Sequence, residues 1–224
     1  MNAPPPPLTL DRVTQLAGPE RLAVFGAFHP DVDDALPPVA GTLVLLGPDE
    51  PGFWQHVNAA PEFADGAPDP LDRWSRRVIG RIACALGGKA RFPFGGPPFA
   101  PFQHWALRSG RAWVSPVGLL VHDRAGLMLS YRGALLLPGR LPLPEAPGPA
   151  PCEGCSQPCL SACPAGALGA QGYDVPACHA FLDTAEGGDC MARGCGVRRA
   201  CPVSAAYGRR PEQSAFHMRS FHNR

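Results

Sequence analysis

The most continuous apolar segments of the chain are short and lie in its first two thirds. GTLVLLG, Gly41 to Gly47, is a β-branched and leucine-rich block bounded by glycines. That is the pattern of a buried strand, and AVFGAF, Ala23 to Phe28, is expected to pair near it. DPLDRWSRRVIGRIACAL, Asp69 to Leu86, has a different period. Leu71, Trp74, Val78, Ile82 and Leu86 recur at spacings of three and four behind Pro70, which predicts a helix with one apolar face on a core. VGLLVHD (Val117 to Asp123) and LMLSYRGALLLPG (Leu127 to Gly139) flank Arg124-Ala125-Gly126. They predict a β-hairpin or two adjacent antiparallel strands. Helices and antiparallel strands in this order give an α+β fold.

The pattern stops at LPLPEAPGPAP, Leu141 to Pro151, which sustains neither a helix nor a central strand. A domain boundary is expected there. Residues 1–10 form a flexible proline-rich lead-in, residues 11–145 an α+β domain, and residues 146–224 a second module. That last part is rich in Cys, Gly and Ala and has few large apolar residues, too few for an ordinary hydrophobic core. Bound metal is the natural substitute. The chain as a whole, 224 residues and 45% hydrophobic, is long enough to bury a sizeable core elsewhere. Its 26 glycines and 29 prolines, interspersed with long patterned segments, point to many turns rather than disorder.

Lys+Arg 20 against Asp+Glu 19 leaves a formal charge of +1, so no global field draws the chain to nucleic acid or to an anionic membrane. No segment approaches the roughly 18 uncharged apolar residues of a membrane span. MNAPPPPLTL carries neither a basic n-region nor a signal-length apolar core, and a cytoplasmic location is expected. Thiols stay reduced there, so nine cysteines suggest metal ligation or redox chemistry before disulfides.

Their placement sharpens this. Cys84 stands alone in an apolar segment, where a small buried hydrophobe is the expected role. The other cysteines form two groups, each closing in Cys-Pro. The first is Cys152-x2-Cys155-x3-Cys159-x3-Cys163-Pro164, and the second is Cys178, then Cys190-x4-Cys195-x5-Cys201-Pro202. Two-cluster ferredoxins use a C-x2-C-x2-C-x3-C-P run in which three cysteines hold one [4Fe–4S] cluster and the fourth reaches the other. By that rule Cys152, Cys155, Cys159 and Cys201 share one cluster, and Cys163, Cys178, Cys190 and Cys195 share the second. The spacing departs from the ferredoxin run: Ser156, Gln157 and Pro158 make one gap a residue longer, and the second group is stretched. A zinc site using CEGC with a later pair, or thiols that only pack, are the alternatives.

The cysteine arrangement, together with ACHAFLDT (Ala177 to Thr184) and SGRAWVSPVGLLVHDRAGLMLSYRGALLLPG (Ser109 to Gly139), resembles the epoxyqueuosine reductases. In that family a cobalamin-binding region precedes a ferredoxin-like module with two [4Fe–4S] clusters. YRGALLLPG is also similar to a segment of the cobalamin-processing chaperones, which remove the upper ligand of vitamin B12 and share a nitroreductase-like α+β fold with the reductases. The resemblance covers about residues 20–205. It implies a nitroreductase-like cobalamin-binding domain followed by a ferredoxin-like iron–sulfur module. It also implies a base-off corrinoid with the Phe94 to Val117 segment over its face. Phe99, Phe102, Trp105 and Trp113 would then supply apolar walls, and His104 and Ser115 polar contacts. Taken as residues alone, the aromatics serve equally as core, and His104 as a solvated or capping histidine.

The reductases place a proton-donating acid upstream of this stretch. The best-matching position here is near Gly96, within FPFGGPPFAPFQHWALRSG, and carries no carboxylate. Loss of a positioned acid costs on the order of 10²–10⁴ in rate. The tRNA-binding repeats that follow the clusters in many reductases have no counterpart up to Arg224. The leading expectation is therefore an iron–sulfur, cobalamin-dependent oxidoreductase that passes electrons to a bound corrinoid for its reduction, upper-ligand removal or reactivation. A ferredoxin-like carrier with a partner-recognition domain and an epoxyqueuosine-type tRNA nucleoside reductase are the alternatives.

From Arg193 onward, Arg193, Arg198, Arg199, Arg209, Arg210, Arg219 and Arg224 face one acid, Glu212, with His217 and His222 between. Such an end could dock an acidic flavodoxin or ferredoxin donor, or remain a solvated surface. A cobalamin-dependent acceptor enzyme is the further expected partner. No GxGxxG, GxxxxGK[ST] or HExxH occurs, so nucleotide binding and zinc hydrolysis have no support.

Overall fold

Thr9 opens the first helix, its hydroxyl accepting from Arg12 N at 3.1 Å while Asp11 sits in the first turn. In the computed structural model, which describes residues 7–34, 36, 41–145 and 148–222, helix α1 (Leu10–Ala17) leads into strands β1 (Leu22–Phe28) and β2 (Thr42–Pro48). Helices α2 (Phe53–Asn58), α3 (Pro61–Ala64) and α4 (Pro70–Ala85) follow, then β3 (Lys89–Arg91) and α5 (Phe102–Arg108). Next come β4 (Ala112–Val114), β5 (Leu120–His122) and β6 (Gly133–Leu137). The cysteine-rich part carries β7 (Leu168–Gly169), β8 (Gly172–Tyr173), α6 (Val175–Leu182), α7 (Gly188–Arg193), α8 (Gly196–Ala200), α9 (Pro202–Ala206) and α10 (Pro211–His222). The fold is mixed α+β. Residues 1–6 of the lead-in, residues 146 and 147 at the expected boundary, and Arg224 lie outside the described residues.

The chain divides into two compact units, residues 1–111 with 130–146 and residues 112–129 with 147–224. The second break falls inside the proline-rich stretch. Residues 112–129, expected in the first domain, belong instead with the cysteines.

The first unit is built on an antiparallel sheet of order β1-β2-β6-β3. The AVFGAF and GTLVLLG blocks pair as expected, with Phe28 opposite Leu43 and Ala23 opposite Gly47. β2 and β6 are the central strands, and every residue in both is buried, which explains their continuous rather than alternating hydrophobicity. A bulge separates Val24 from Gly26. Gly26, at φ 153°, leaves room for Ser109, whose Oγ would lie 2.5 Å from a Cβ there. α4 forms where its period predicts, Pro70 in its first turn and Leu71, Trp74, Val78 and Ile82 buried. Cys84 is on its exposed side, not buried as expected, because it falls off the three-four period.

The hairpin expected across residues 117–139 does not form. β5 pairs with β4 in the second unit, Ala112 opposite His122, while β6 joins the first unit's sheet. Among the described residues no helix is long and apolar enough to cross a membrane.

Candidate metal centre

The second unit gathers its apolar side chains around thiols. Val117, Val121, Leu127, Leu168 and Val197 form one buried cluster with Cys159 and Cys201, and Trp113, Cys152, Cys163 and Cys195 pack against it. All nine cysteines of the chain are free.

Local backbone chemistry delivers the first thiols. Glu153 N donates to Ala150 O at 2.9 Å and Cys155 N to Cys152 O at 3.3 Å, closing a tight turn with Gly154 at φ 73°. Gln157 adopts the left-handed conformation (φ 53°), donates its N–H to the Cys155 Sγ at 3.4 Å, and precedes the 3-10 turn Pro158–Ser161 that carries buried Cys159. The left-handed residue absorbs the extra position in the Cys155–Cys159 gap. Cys178 is held on α6, whose N-cap Asp174 accepts from Ala177 N at 2.9 Å. Cys190 is buried on α7, and Cys195 caps α8. The two Cys-Pro pairs differ. Cys201 caps α9, with Pro202 in its first turn and Cys201 O accepting from Ala205 N at 3.0 Å. Cys163-Pro164 starts no helix, and Gly166 N closes a turn on Cys163 O at 3.1 Å.

The folded chain sorts the eight thiols into two sets. Burial pushes the Cys152 thiol above its ordinary pKa, and the charges of Cys159, Cys201 and Cys155 push it further. Burial raises Cys159 as well, again with Cys201 and Cys155 as the interacting thiols. Cys178 is raised by burial, and its thiol neighbours are Cys195, Cys163 and Cys190. These are the two sets that the ferredoxin rule pairs, including the exchange of Cys163 and Cys201 between groups. Among the described residues no group of three or more His, Cys, Asp or Glu side chains is placed to hold a metal ion. A [4Fe–4S] cluster takes one thiolate at each of its four irons. The donor chemistry fits such a cluster, with soft thiols only, four to a set, and several kept protonated by an apolar setting that a cationic cluster would reverse.

The sets differ in surroundings. Cys152, Cys155, Cys159 and Cys201 line a cavity together with Val121, Leu127, Val203 and Ser115. The Cys178 set is flanked by polar groups that the sequence did not single out for it. The Tyr173 hydroxyl donates to Cys178 Sγ at 3.4 Å, and the Tyr173 pKa is raised, first by burial and then by that bond. Arg198 donates to Leu127 O at 2.5 Å, its pKa lowered by desolvation while the Cys195 thiol and Tyr173 oppose that shift. Tyr173 lies five residues before a cysteine, the one sequence signal that could have found it.

The six residues expected around a corrinoid fall in both units, four in the first and two in the second. Phe102 and Trp105 are buried in the first unit's core with Phe28, Leu43, Leu45 and Leu136, and the Trp105 Nε1 donates to Asp34 O at 3.1 Å. Both take the core role that the residues alone also allowed. His104, its side chain half-exposed, pairs with the buried Asp34 carboxylate at 3.0 Å and does not cap α5, and Phe99 is 66% exposed. Trp113 and Ser115 lie in the second unit with the thiols. The arginine-rich end is largely engaged within its own unit. Arg193 and Arg199 pair with Asp189, just outside the run that was read as basic, Arg198 holds Leu127 O, and Arg209 donates to Met128 O at 3.2 Å. Arg210 and Arg219 are exposed.

A scan of the chain against protein-family models finds no match, and a search among curated proteins finds none either.

Proposed function

We propose that the chain is an iron–sulfur electron-transfer oxidoreductase whose second unit, ferredoxin-like in type, holds two [4Fe–4S] clusters. Cys152, Cys155, Cys159 and Cys201 ligate one, and Cys163, Cys178, Cys190 and Cys195 the other. The observation that carries this is the sorting of eight thiols into two sets of four, with Cys201 joining the first group and Cys163 the second. Zinc needs no such exchange, and packing alone gives no reason for four cysteines to share one cavity. When bound, each cluster accepts and releases one electron. The chain's own residues supply thiolates, an apolar cover and fixed polar groups that set how readily this happens.

The acceptor in this proposal is a corrinoid, and the first unit is nitroreductase-like. Both rest on the resemblance of YRGALLLPG and the surrounding segment to the cobalamin-processing chaperones and epoxyqueuosine reductases. Reduction of the corrinoid supports removal of its upper ligand or its reactivation for a cobalamin-dependent enzyme. An acidic flavodoxin or ferredoxin fits as donor, docking through exposed arginines such as Arg210 and Arg219. A cytoplasmic site of action is part of the same proposal.

Anaerobic purification with iron and sulfide analysis tests the clusters, and absorption spectra before and after adding cob(II)alamin with a reductant test the acceptor. About eight irons per chain and a shifted corrinoid band are expected. Full iron with no corrinoid shift reduces the function to that of an electron carrier. Zinc, or no metal, overturns the electron path. Retention of tRNA at moderate salt would favour the nucleoside-reductase alternative.

A further inference from the structure

Ser115 is 5% exposed, and its buried hydroxyl has no hydrogen-bond partner. Ser115 follows β4, and both of its backbone groups are used: its N–H donates to Leu119 O at 2.8 Å, and its carbonyl accepts from Gly118 N at 2.9 Å. That turn fixes the residue. Ser115 lines the cavity shared by Cys152, Cys155, Cys159 and Cys201, where the remaining neighbours include apolar Val121 and Leu127. A buried hydroxyl left unpaired loses its hydration without recompense. Alanine or valine would fill an apolar wall without that penalty, so the hydroxyl points to an acceptor inside the cavity.

The acceptors that chemistry offers there are sulfur atoms. A neutral thiol accepts weakly, whereas a sulfur bound to iron carries negative charge and accepts only. Building on the proposed cluster, we infer that Ser115 is a positioning residue for the set Cys152, Cys155, Cys159 and Cys201, its hydroxyl donating a hydrogen bond to an iron-bound sulfur and raising that cluster's reduction potential. The reduced cluster holds one more electron and more charge on sulfur than the oxidised one, so the bond strengthens on reduction. No proton leaves Ser115. The one electron comes from the external reductant and resides on the cluster.

The test uses the full chain, loaded anaerobically, as wild type, Ser115→Ala and Ser115→Thr. Dithionite titration with mediators, followed by electron paramagnetic resonance, gives the midpoint of each cluster. Ser115→Ala is expected to keep wild-type iron and sulfide and to shift one cluster's reduction equilibrium three- to tenfold toward the oxidised form, about 30–59 mV for one electron. The other cluster should not move, and Ser115→Thr should stay near wild type. In the wild type an exchangeable proton coupled to the reduced cluster, replaced in D2O and additional to the Gln157 N–H beside Cys155 Sγ, is the second readout and requires no variant.

Equal midpoints in wild type and Ser115→Ala at full iron loading overturn the inference while leaving the clusters standing. So does the absence of an exchangeable proton coupling that Ser115→Ala would remove. If Ser115→Ala loses iron, the wild-type coupling decides: present, it supports the bond; absent, it assigns Ser115 a purely structural role. A wild-type chain without iron and sulfide defeats the cluster proposal itself and this inference with it.

Discussion

The two units bury different things. Of the twelve largest side chains that are fully buried among the described residues, eleven, including Trp74, Trp105, Phe25 and Leu135, belong to the first unit and only Leu127 to the second. The first unit is held by a sheet whose central strands are buried along their whole length. The second places Cys159 and Cys201 inside its main apolar cluster and lets short helices end on cysteines. On the proposed two-cluster reading, a region with so little apolar volume draws stability from the clusters its thiols would hold. Loss of metal should therefore act on the two units unequally.

Stripping iron anaerobically with a chelator is the largest perturbation. Amide exchange should rise toward unprotected rates across α7 to α9 and the Cys152–Cys163 turns, while β2 and β6 keep their protection. Protection that persists in α7 and α8 without metal would break the comparison. The converse perturbation is Leu135→Ala in β6, where a side chain with no exposure is removed between β2 and β3. Denaturant unfolding followed by tryptophan fluorescence should show a loss of about 2–5 kcal/mol in the first transition, with iron per chain unchanged. Loss of iron on this substitution would show that the units do not stand apart energetically.

Within the second unit the comparison narrows to the two thiol sets. One faces apolar walls, a single unpaired hydroxyl and the Gln157 N–H on Cys155, and the other has Tyr173 donating to Cys178 and the partly buried Arg198 guanidinium near Cys195. Hydrogen bonds and positive charge beside cluster sulfurs favour the reduced form, so the Cys178 set should be the easier to reduce. Tyr173→Phe should lower the midpoint of that cluster alone, by roughly 30 mV, a threefold change in a one-electron equilibrium. A shift in the other cluster would reverse the assignment of Tyr173 to its set.

How far these features were legible depends on how local their causes are. The helix at Pro70–Ala85 and the β1–β2 pair follow from period and from glycine bounds, both readable within about twenty residues. The grouping of the cysteines is local in the same sense, because their spacing proposes a chemistry without reference to the fold. The hairpin was misread because Arg124-Ala125-Gly126 does make a turn: Gly126 bridges to His122 at φ 56°, and a Cβ there would lie 2.4 Å from Ser204 N. The turn serves contact with α9, with Leu127 N bonded to Ser204 Oγ at 2.8 Å, and β6 departs to another sheet. Ser115 acquires meaning only from the cysteines that tertiary structure gathers around it, and Tyr173 from a cysteine five residues on whose contact the spacing alone does not fix. Phe102 and Trp105 sit in a proline-rich segment where a core aromatic and a pocket aromatic look alike.

The smallest expected effect sits on the first unit and involves no metal ligand. Arg73 on α4 donates to both carboxylate oxygens of Asp65, at 2.7 and 2.8 Å, and Ala67 N adds a third bond at 2.9 Å. The guanidinium first, and then the backbone N–H, hold the Asp65 carboxyl down from 3.8 to about 2. Glu62 is lowered in the same way by Arg77. A depressed folded-state pKa means that the unfolded chain takes up protons first as pH falls. The stabilisation is therefore present above the ordinary carboxylate range and fades as pH drops from about 4 toward 2. Asp65 is solvent-exposed, so screening keeps the effect small. Thermal melts of wild type and Asp65→Asn should differ slightly at pH 6, with wild type the more stable, and converge as the pH approaches 2. A difference that grows on acidification would mean that Asp65 is protonated more readily in the folded unit than in the unfolded chain, and that the Arg73 contact does not govern it.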